Sequence, residues 1–197
     1  MEEDFEILIS GFLESEVGIS EHFISEKLAH HLRANLLSLH DRKLMPMAGI
    51  GNVRAHALDK TIRNDRIYWF DRNNHDPYEN EFLDQIDLFI KYLNLTCYTG
   101  IKAYEFHYAL YEPGSFYVKH KDQFNNDQGR MFSLITYLND TWVEKDGGEL
   151  LIYQSTAEQK IAPTLCKTIF FKSNQLAHEV LETKKARLSI TGWLKRE

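Results

Sequence analysis

His120-Lys121-Asp122 decides how this chain is read, once it is set beside His178-Glu179-Val180 and Arg187. In an extended strand residues i and i+2 point to one face, so His120 and Asp122 can reach one metal ion from a rigid backbone. A third ligand then has to come from elsewhere in the chain. His178, on a second strand lying alongside the first, supplies it in this reading. Two imidazoles and one carboxylate on one side of an ion leave the opposite coordination positions open.

With nine histidines in the chain, an H-x-D triplet by itself says little, and its context carries the weight. From Tyr111 the sequence runs Y-E-P-G-S-F-Y-V-K-H-K-D, then G-R-M-F-S-L-I-T-Y-L-N, G-G-E-L-L-I-Y, F-F and H-E-V-x6-R-L-S-I-T-G-W, ending at Trp193. This series resembles the prolyl 4-hydroxylase branch of the 2-oxoglutarate and Fe(II)-dependent dioxygenases, in particular the hypoxia-inducible-factor prolyl hydroxylases and their bacterial relatives. The resemblance covers residues 101–195 and continues more loosely upstream through Ile62-Arg63-Asn64-Asp65-Arg66-Ile67-Tyr68-Trp69.

That resemblance implies a ferrous ion on His120, Asp122 and His178, with 2-oxoglutarate and O2 as co-substrates and ascorbate as reductant. The far carboxylate of 2-oxoglutarate needs a cation, and Arg187 is its candidate because a planar guanidinium grips a carboxylate with two parallel bonds. Tyr137 matches the tyrosine that donates to the same carboxylate. Tyr111 matches a further tyrosine of that pocket, although the loop from it to the first histidine is one residue shorter than in the animal enzymes, so Tyr117 competes for the place. Strand alternation puts Arg187, Ser189, Thr191 and Trp193 on one face, where they would line the cavity, and Leu188, Ile190 and Leu194 on the other; the resemblance implies a co-substrate contact for Thr191 and a place at the substrate or just behind it for Trp193. Leu150 and Val180 match apolar wall positions. Upstream, Asp65 is expected to pair with Arg130, and Trp69 to stand near the substrate. The implied reaction is hydroxylation at C4 of a prolyl residue in a protein, with succinate and CO2 as the other products. Components of the translation machinery are the first partners to consider.

At 197 residues with 43% hydrophobic content, the chain suffices for one domain with a sizeable core. We expect one unit over 1–197, with helical support and an entry loop over 1–100 and the catalytic core over 101–195. The net charge of −6 disfavours a nucleic-acid partner. Met1-Glu2-Glu3-Asp4 lacks the basic flank and apolar run of a signal peptide, and no apolar stretch is long enough to span a bilayer. The two cysteines, Cys97 and Cys166, make no disulfide framework. A cytoplasmic monomer with no membrane association is the expectation.

Spacing predicts a short helix over 4–13, a strand after Gly18, and a helix capped by Ser25 whose Leu28, Leu32, Leu36 and Leu39 form one stripe. Residues 44–60, with Met45-Pro46-Met47, Gly49 and Gly51, read as a loop or as a finger closing over the substrate. A strand is expected over Ile62 to Phe70. Asp76-Pro77-Tyr78-Glu79 opens a helix carrying Phe82, Ile86, Phe89, Ile90 and Leu93 on one face. From residue 101 the pattern changes to short strands: Lys102 to Tyr111, Phe116 to His120, Met131 to Asn139, Glu149 to Tyr153, Thr168 to Phe171 and Arg187 to Leu194. The fold class is therefore mainly β with supporting helices: a double-stranded β-helix of the jelly-roll, cupin-like kind, buttressed by N-terminal α-helices.

Two rivals stand beside this reading. One keeps the chemistry and changes the substrate to another residue or a small molecule; residues 44–76 and the C-terminal end decide it. The other is a non-catalytic cupin-like module in which zinc occupies the same ligands. Such a module has no use for a carboxylate clamp made by Arg187 and Tyr137.

Overall fold

The computed structural model describes residues 2–49, 59, 61–123, 129–155 and 157–197. Most of the entry finger expected over 44–60 lies outside them. Three helices come early: α1 (Glu2–Ser15), α2 (Glu26–Asp41) and α3 (Pro77–Thr96). The strands are β1 (Val17–Ser20), β2 (Arg66–Trp69), β3 (Ala103–Tyr111), β4 (Tyr117–His120), β5 (Arg130–Tyr137), β6 (Leu150–Tyr153), β7 (Glu158–Ile161), β8 (Thr168–Lys172), β9 (Ala177–Val180) and β10 (Arg187–Lys195). They form two antiparallel sheets, a major one in the order β1-β8-β5-β10-β3-β2 and a minor one in the order β4-β9-β6-β7. This is the expected jelly-roll core.

Helix boundaries follow the capping chemistry. The Ser25 hydroxyl accepts from the Leu28 amide at the start of α2, and the Asp76 carboxylate accepts from the Tyr78 and Glu79 amides with Pro77 in the first turn of α3. The stripe of α2 buries Leu28, Leu32 and Leu36, while α3 buries Phe82, Ile86, Phe89 and Leu93. These meet the outer face of the major sheet, where Phe106, Tyr108, Leu110, Leu134, Phe170, Leu188, Ile190 and Leu194 share one core with them. Each such side chain contributes about 1.5–3 kcal/mol on burial. The helices thus fix the outer face of β3, β5, β8 and β10. The alternate residues of these strands are left for the inner face.

A second, smaller core lies between the sheets and includes Tyr111, Ile135, Tyr137, Leu150, Ile152, Ile169, Phe171 and Val180. The structure departs from the sequence expectation at two strands. β2 is shorter than the expected Ile62 to Phe70 strand, because Arg63 bridges to Tyr117 and Asp65 gives its carbonyl to the Ala48 amide before regular pairing begins. β7 has no counterpart in the expectation: it is a sheet-edge strand, EQKI, whose only buried residue is Ile161.

Candidate metal centre and co-substrate pocket

Register, more than any single residue, builds the site. On the inner face of the major sheet four rows of cross-strand neighbours run side by side. Glu105, Trp193, Ser133 and Phe171 form the first row, and Trp69, His107, Thr191, Ile135 and Ile169 the second. Ile67, Ala109, Ser189 and Tyr137 follow, and Tyr111 faces Arg187 in the last. Directly opposed side chains stand roughly 5 Å apart, so each row is a contact series. One cavity is lined from all four rows and, across from them, by His120, Asp122, His178, Leu150 and Val180 of the other side.

His120 and His178 are directly paired in register on β4 and β9, as the sequence reading required. Asp122 differs from it. β4 ends at His120, and Asp122 sits just beyond in a bend, so strand alternation does not aim its carboxylate. The Ser133 hydroxyl does, donating to Asp122 Oδ2 over 2.6 Å from β5. His120 Nε2 stands 3.5 Å from Asp122 Oδ1, and His178 Nε2 stands 3.6 Å from Oδ2. One donor atom from each of the three lies within 4.8 Å of the others. Each imidazole also has its Nδ1 by the carbonyl two residues earlier, Val118 at 2.8 Å and Leu176 at 3.3 Å. A proton on Nδ1 then leaves the Nε2 lone pair turned towards the carboxylate, the arrangement in which a histidine ligates a metal.

Electrostatics favour the ligating forms. Burial alone would raise the Asp122 carboxyl, but His178, His120 and the Ser133 hydroxyl outweigh it and hold the group well below the usual carboxylate range. Burial lowers His178 to about 4 against the pull of the Asp122 carboxylate, with His120 adding to the fall. An ionised carboxylate beside a neutral imidazole belongs to the donor set that a divalent transition ion takes. The residues therefore fit an iron centre.

Arg187 is 3% exposed, and its Nε donates to the Gly148 carbonyl over 2.7 Å. Gly148 has to be glycine: its φ is +75°, and a Cβ there would stand 3.1 Å from the arginine's own Cδ. The guanidinium carbon lies 4.9 Å from the Tyr111 ring centre and 5.0 Å from that of Tyr137. Among the described residues no carboxylate pairs with it. The Tyr137 hydroxyl, wholly buried, has no hydrogen-bond partner among the described residues. Burial pushes both tyrosines up, with the Arg187 charge opposing, so both stay protonated donors. Tyr111 and Tyr117 both line the cavity, at different places. Tyr111 stands opposite Arg187, whereas Tyr117 stacks on the His120 ring at 3.6 Å between centroids.

The pair expected between Asp65 and Arg130 is absent. Asp65, fully buried, is held by Arg63 through two hydrogen bonds of 2.7 and 2.6 Å. Arg130 instead binds Glu105 at 2.7 Å, donates to the Asp122 carbonyl, and lies 3.4 Å over the Trp193 ring. The reason is register: Glu105 lies opposite Trp193 in the same sheet as Arg130, while Arg63 reaches Asp65 two residues along its own chain. Arg63 also lies 4.3 Å over the Tyr117 ring and lines the cavity. Sequence reading passed over Arg63 and over His107, which lies between Trp69 and Trp193 at centroid distances of 4.7 and 5.4 Å. Thr191 and Trp69 line the cavity as expected.

Comparison with known proteins agrees with this geometry. Residues 106–195 match the profile of the 2OG-Fe(II) oxygenase superfamily. The chain is 31% identical to a hypoxia-inducible factor prolyl hydroxylase of Caenorhabditis elegans over 68% of its length, which amounts to 20% of that protein. It is 28% identical to the mouse prolyl hydroxylase EGLN3, covering 90% of this chain and 78% of the other. A crystal structure of a Pseudomonas putida prolyl-4-hydroxylase superposes with a TM-score of 0.88 at 29% identity, covering 98% of this chain and 99% of that one.

Proposed function

We propose, from the premise that this chain belongs to the 2OG-Fe(II) oxygenase superfamily and is of its prolyl hydroxylase type, that it hydroxylates C4 of a prolyl residue in a protein while converting 2-oxoglutarate and O2 to succinate and CO2. The observation that carries the co-substrate is the buried Arg187, a cation with no carboxylate among the described residues, beside a His-Asp-His cluster. An uncompensated buried charge costs several kcal/mol, so the pocket is built for an anion that arrives with the reaction. Arg187 and the Tyr137 hydroxyl bind the far carboxylate of 2-oxoglutarate, Tyr111 and Thr191 border the chain of the acid, and Leu150 and Val180 keep water from it. His120, Asp122 and His178 would hold Fe(II), which when bound supplies the O2 activation that side chains cannot. Trp193 and the half-exposed Trp69 form the wall where a pyrrolidine ring can pack.

A non-catalytic zinc module leaves the Arg187 clamp without a purpose. A protein partner, with translation components first among candidates, a cytoplasmic site of action and ascorbate as reductant complete the reading. The relatives, named as prolyl hydroxylases, support the protein partner. Purified protein supplied with Fe(II), ascorbate and 2-oxoglutarate is expected to release succinate, and to add 16 Da to proline in proteins captured by an inactive variant, the mass of one oxygen atom. His120→Ala and Asp122→Ala are expected to abolish both; wild-type turnover in either would remove the metal assignment.

A further inference from the structure

His107 has no part in the metal centre or in the grip on 2-oxoglutarate, yet it is 3% exposed and lines the same cavity. Its Nδ1 is buried without a hydrogen-bond partner among the described residues. In register it stands between Trp69 on β2 and Thr191 on β10, and Trp193 flanks it at a centroid distance of 5.4 Å. A neutral imidazole carries one N–H, and a buried N–H without an acceptor is rarer in proteins than an unused lone pair. The proton therefore belongs on Nε2, the nitrogen left to face the cavity. Burial, with Arg63 and Arg130 contributing, lowers the ring's pKa to about 3, so this N–H belongs to a neutral ring at working pH.

The charge around the ring selects the acceptor. Arg63 is bound by Asp65 and Arg130 by Glu105, so both cations near His107 are already compensated. A ligand carboxylate would find no uncompensated charge here, in contrast to the Arg187 end of the cavity. A neutral oxygen suits the place. We infer that His107 is a substrate-binding residue whose Nε2–H receives a backbone amide carbonyl next to the target proline, with the pyrrolidine ring packed against the wall that Trp69 and Trp193 form. This rests on the prolyl hydroxylase reading and sharpens it: the substrate is a prolyl residue within a peptide, and free proline is excluded.

The test uses the full chain, labelled with 15N-histidine and 15N-tryptophan and loaded with Zn(II) and 2-oxoglutarate so that a probe binds without being consumed. The probe is N-acetyl-L-proline N-methylamide, with free L-proline as the comparison. The His107 ring signals, assigned by their loss in His107→Phe, are expected to show the proton on Nε2. They should move, together with the Trp69 and Trp193 indole signals, on adding the capped probe and not on adding free proline. His107→Phe should weaken probe binding about five- to tenfold, and His107→Gln, which restores an N–H donor, should recover most of it. A proton on Nδ1, equal binding of the two probes, no binding of the capped probe, or an unchanged affinity in His107→Phe would overturn the inference. Failure of the underlying reading is separate: it appears as absent 2-oxoglutarate binding with no probe present.

Discussion

Arg187→Lys keeps the buried charge and removes the fork. In the wild type Nε donates to the Gly148 carbonyl over 2.7 Å, leaving the terminal nitrogens, one of them 3.4 Å from the Ser189 hydroxyl, to face the acid. A lysine can offer a point charge from the same strand position but cannot serve the glycine carbonyl and two carboxylate oxygens together. The loss in binding is one charge-assisted hydrogen bond, about 1.5–3 kcal/mol, or roughly ten- to hundredfold in the 2-oxoglutarate KM. A further 1–3 kcal/mol comes off stability through the unsatisfied Gly148 carbonyl. Succinate release measured against 2-oxoglutarate concentration, at saturating Fe(II), separates the two effects once a thermal melt confirms that the variant is folded at the assay temperature. Iron affinity should hold, since Arg187 touches none of the three ligands. A folded Arg187→Lys protein whose KM for 2-oxoglutarate stays within twofold of wild type would refute the assignment of this guanidinium to the far carboxylate.

Ser133→Ala removes the hydroxyl that fixes Asp122 Oδ2, and Fe(II) affinity, read by metal titration, should fall about tenfold with His120 and His178 intact. Asp65→Ala leaves the buried Arg63 guanidinium without its counter-ion. The expected loss is about 3–5 kcal/mol, a fall in melting temperature on the order of 10 °C. Glu79, buried on α3, is raised from 4.5 to about 7 by burial and by the neighbouring Asp76. Its folded pKa lies above the unfolded one, so its protonated form adds no penalty below pH 4.5, and stability is lost as pH rises from there through 7. Glu79→Gln should therefore melt with the wild type at pH 4 and above it at pH 8, by on the order of 3 kcal/mol. Parallel melts at both pH values would contradict the buried, proton-holding carboxyl.

The parts of the site that follow from chain periodicity could be read from the sequence. Arg187, Ser189, Thr191 and Trp193 share a face because a strand alternates, and Asp76-Pro77 starts a helix because its carboxylate caps two amides. Contacts that depend on register between distant strands could not be read. Arg130 takes Glu105 and not Asp65 because of how β3, β10 and β5 align, and nothing local in the sequence states that alignment. His107 was hidden for the same reason. In the sequence it is one of nine histidines, and only the pairing of β3 with β2 and β10 places it between two indoles. Asp122 shows a subtler limit. The i, i+2 argument brought it beside His120 and His178 for an incomplete reason, since the strand stops at His120 and a serine from the other sheet finishes the aiming.

That serine shows how the two sheets divide the work. His120 and His178 belong to the minor sheet, while Arg187, Tyr137, Thr191 and Trp193 belong to the major sheet, whose outer face the helices hold rigid. A co-substrate that must touch both an ion and a guanidinium spans the gap between sheets, so its geometry depends on their separation. Polar contacts among the described residues help to set that separation from inside the cavity. The Ser133 to Asp122 bond is one, and the Ser133 hydroxyl is itself 2.9 Å from that of Ser173, just beyond β8. On the opposite rim Arg63 bridges Asp65 to the Tyr117 ring, which stacks on His120. The metal ligands are thus tethered to the rigid sheet from two sides. Each tether ends on a ligand that would otherwise be aimed only by a four-residue strand and the bend that follows it.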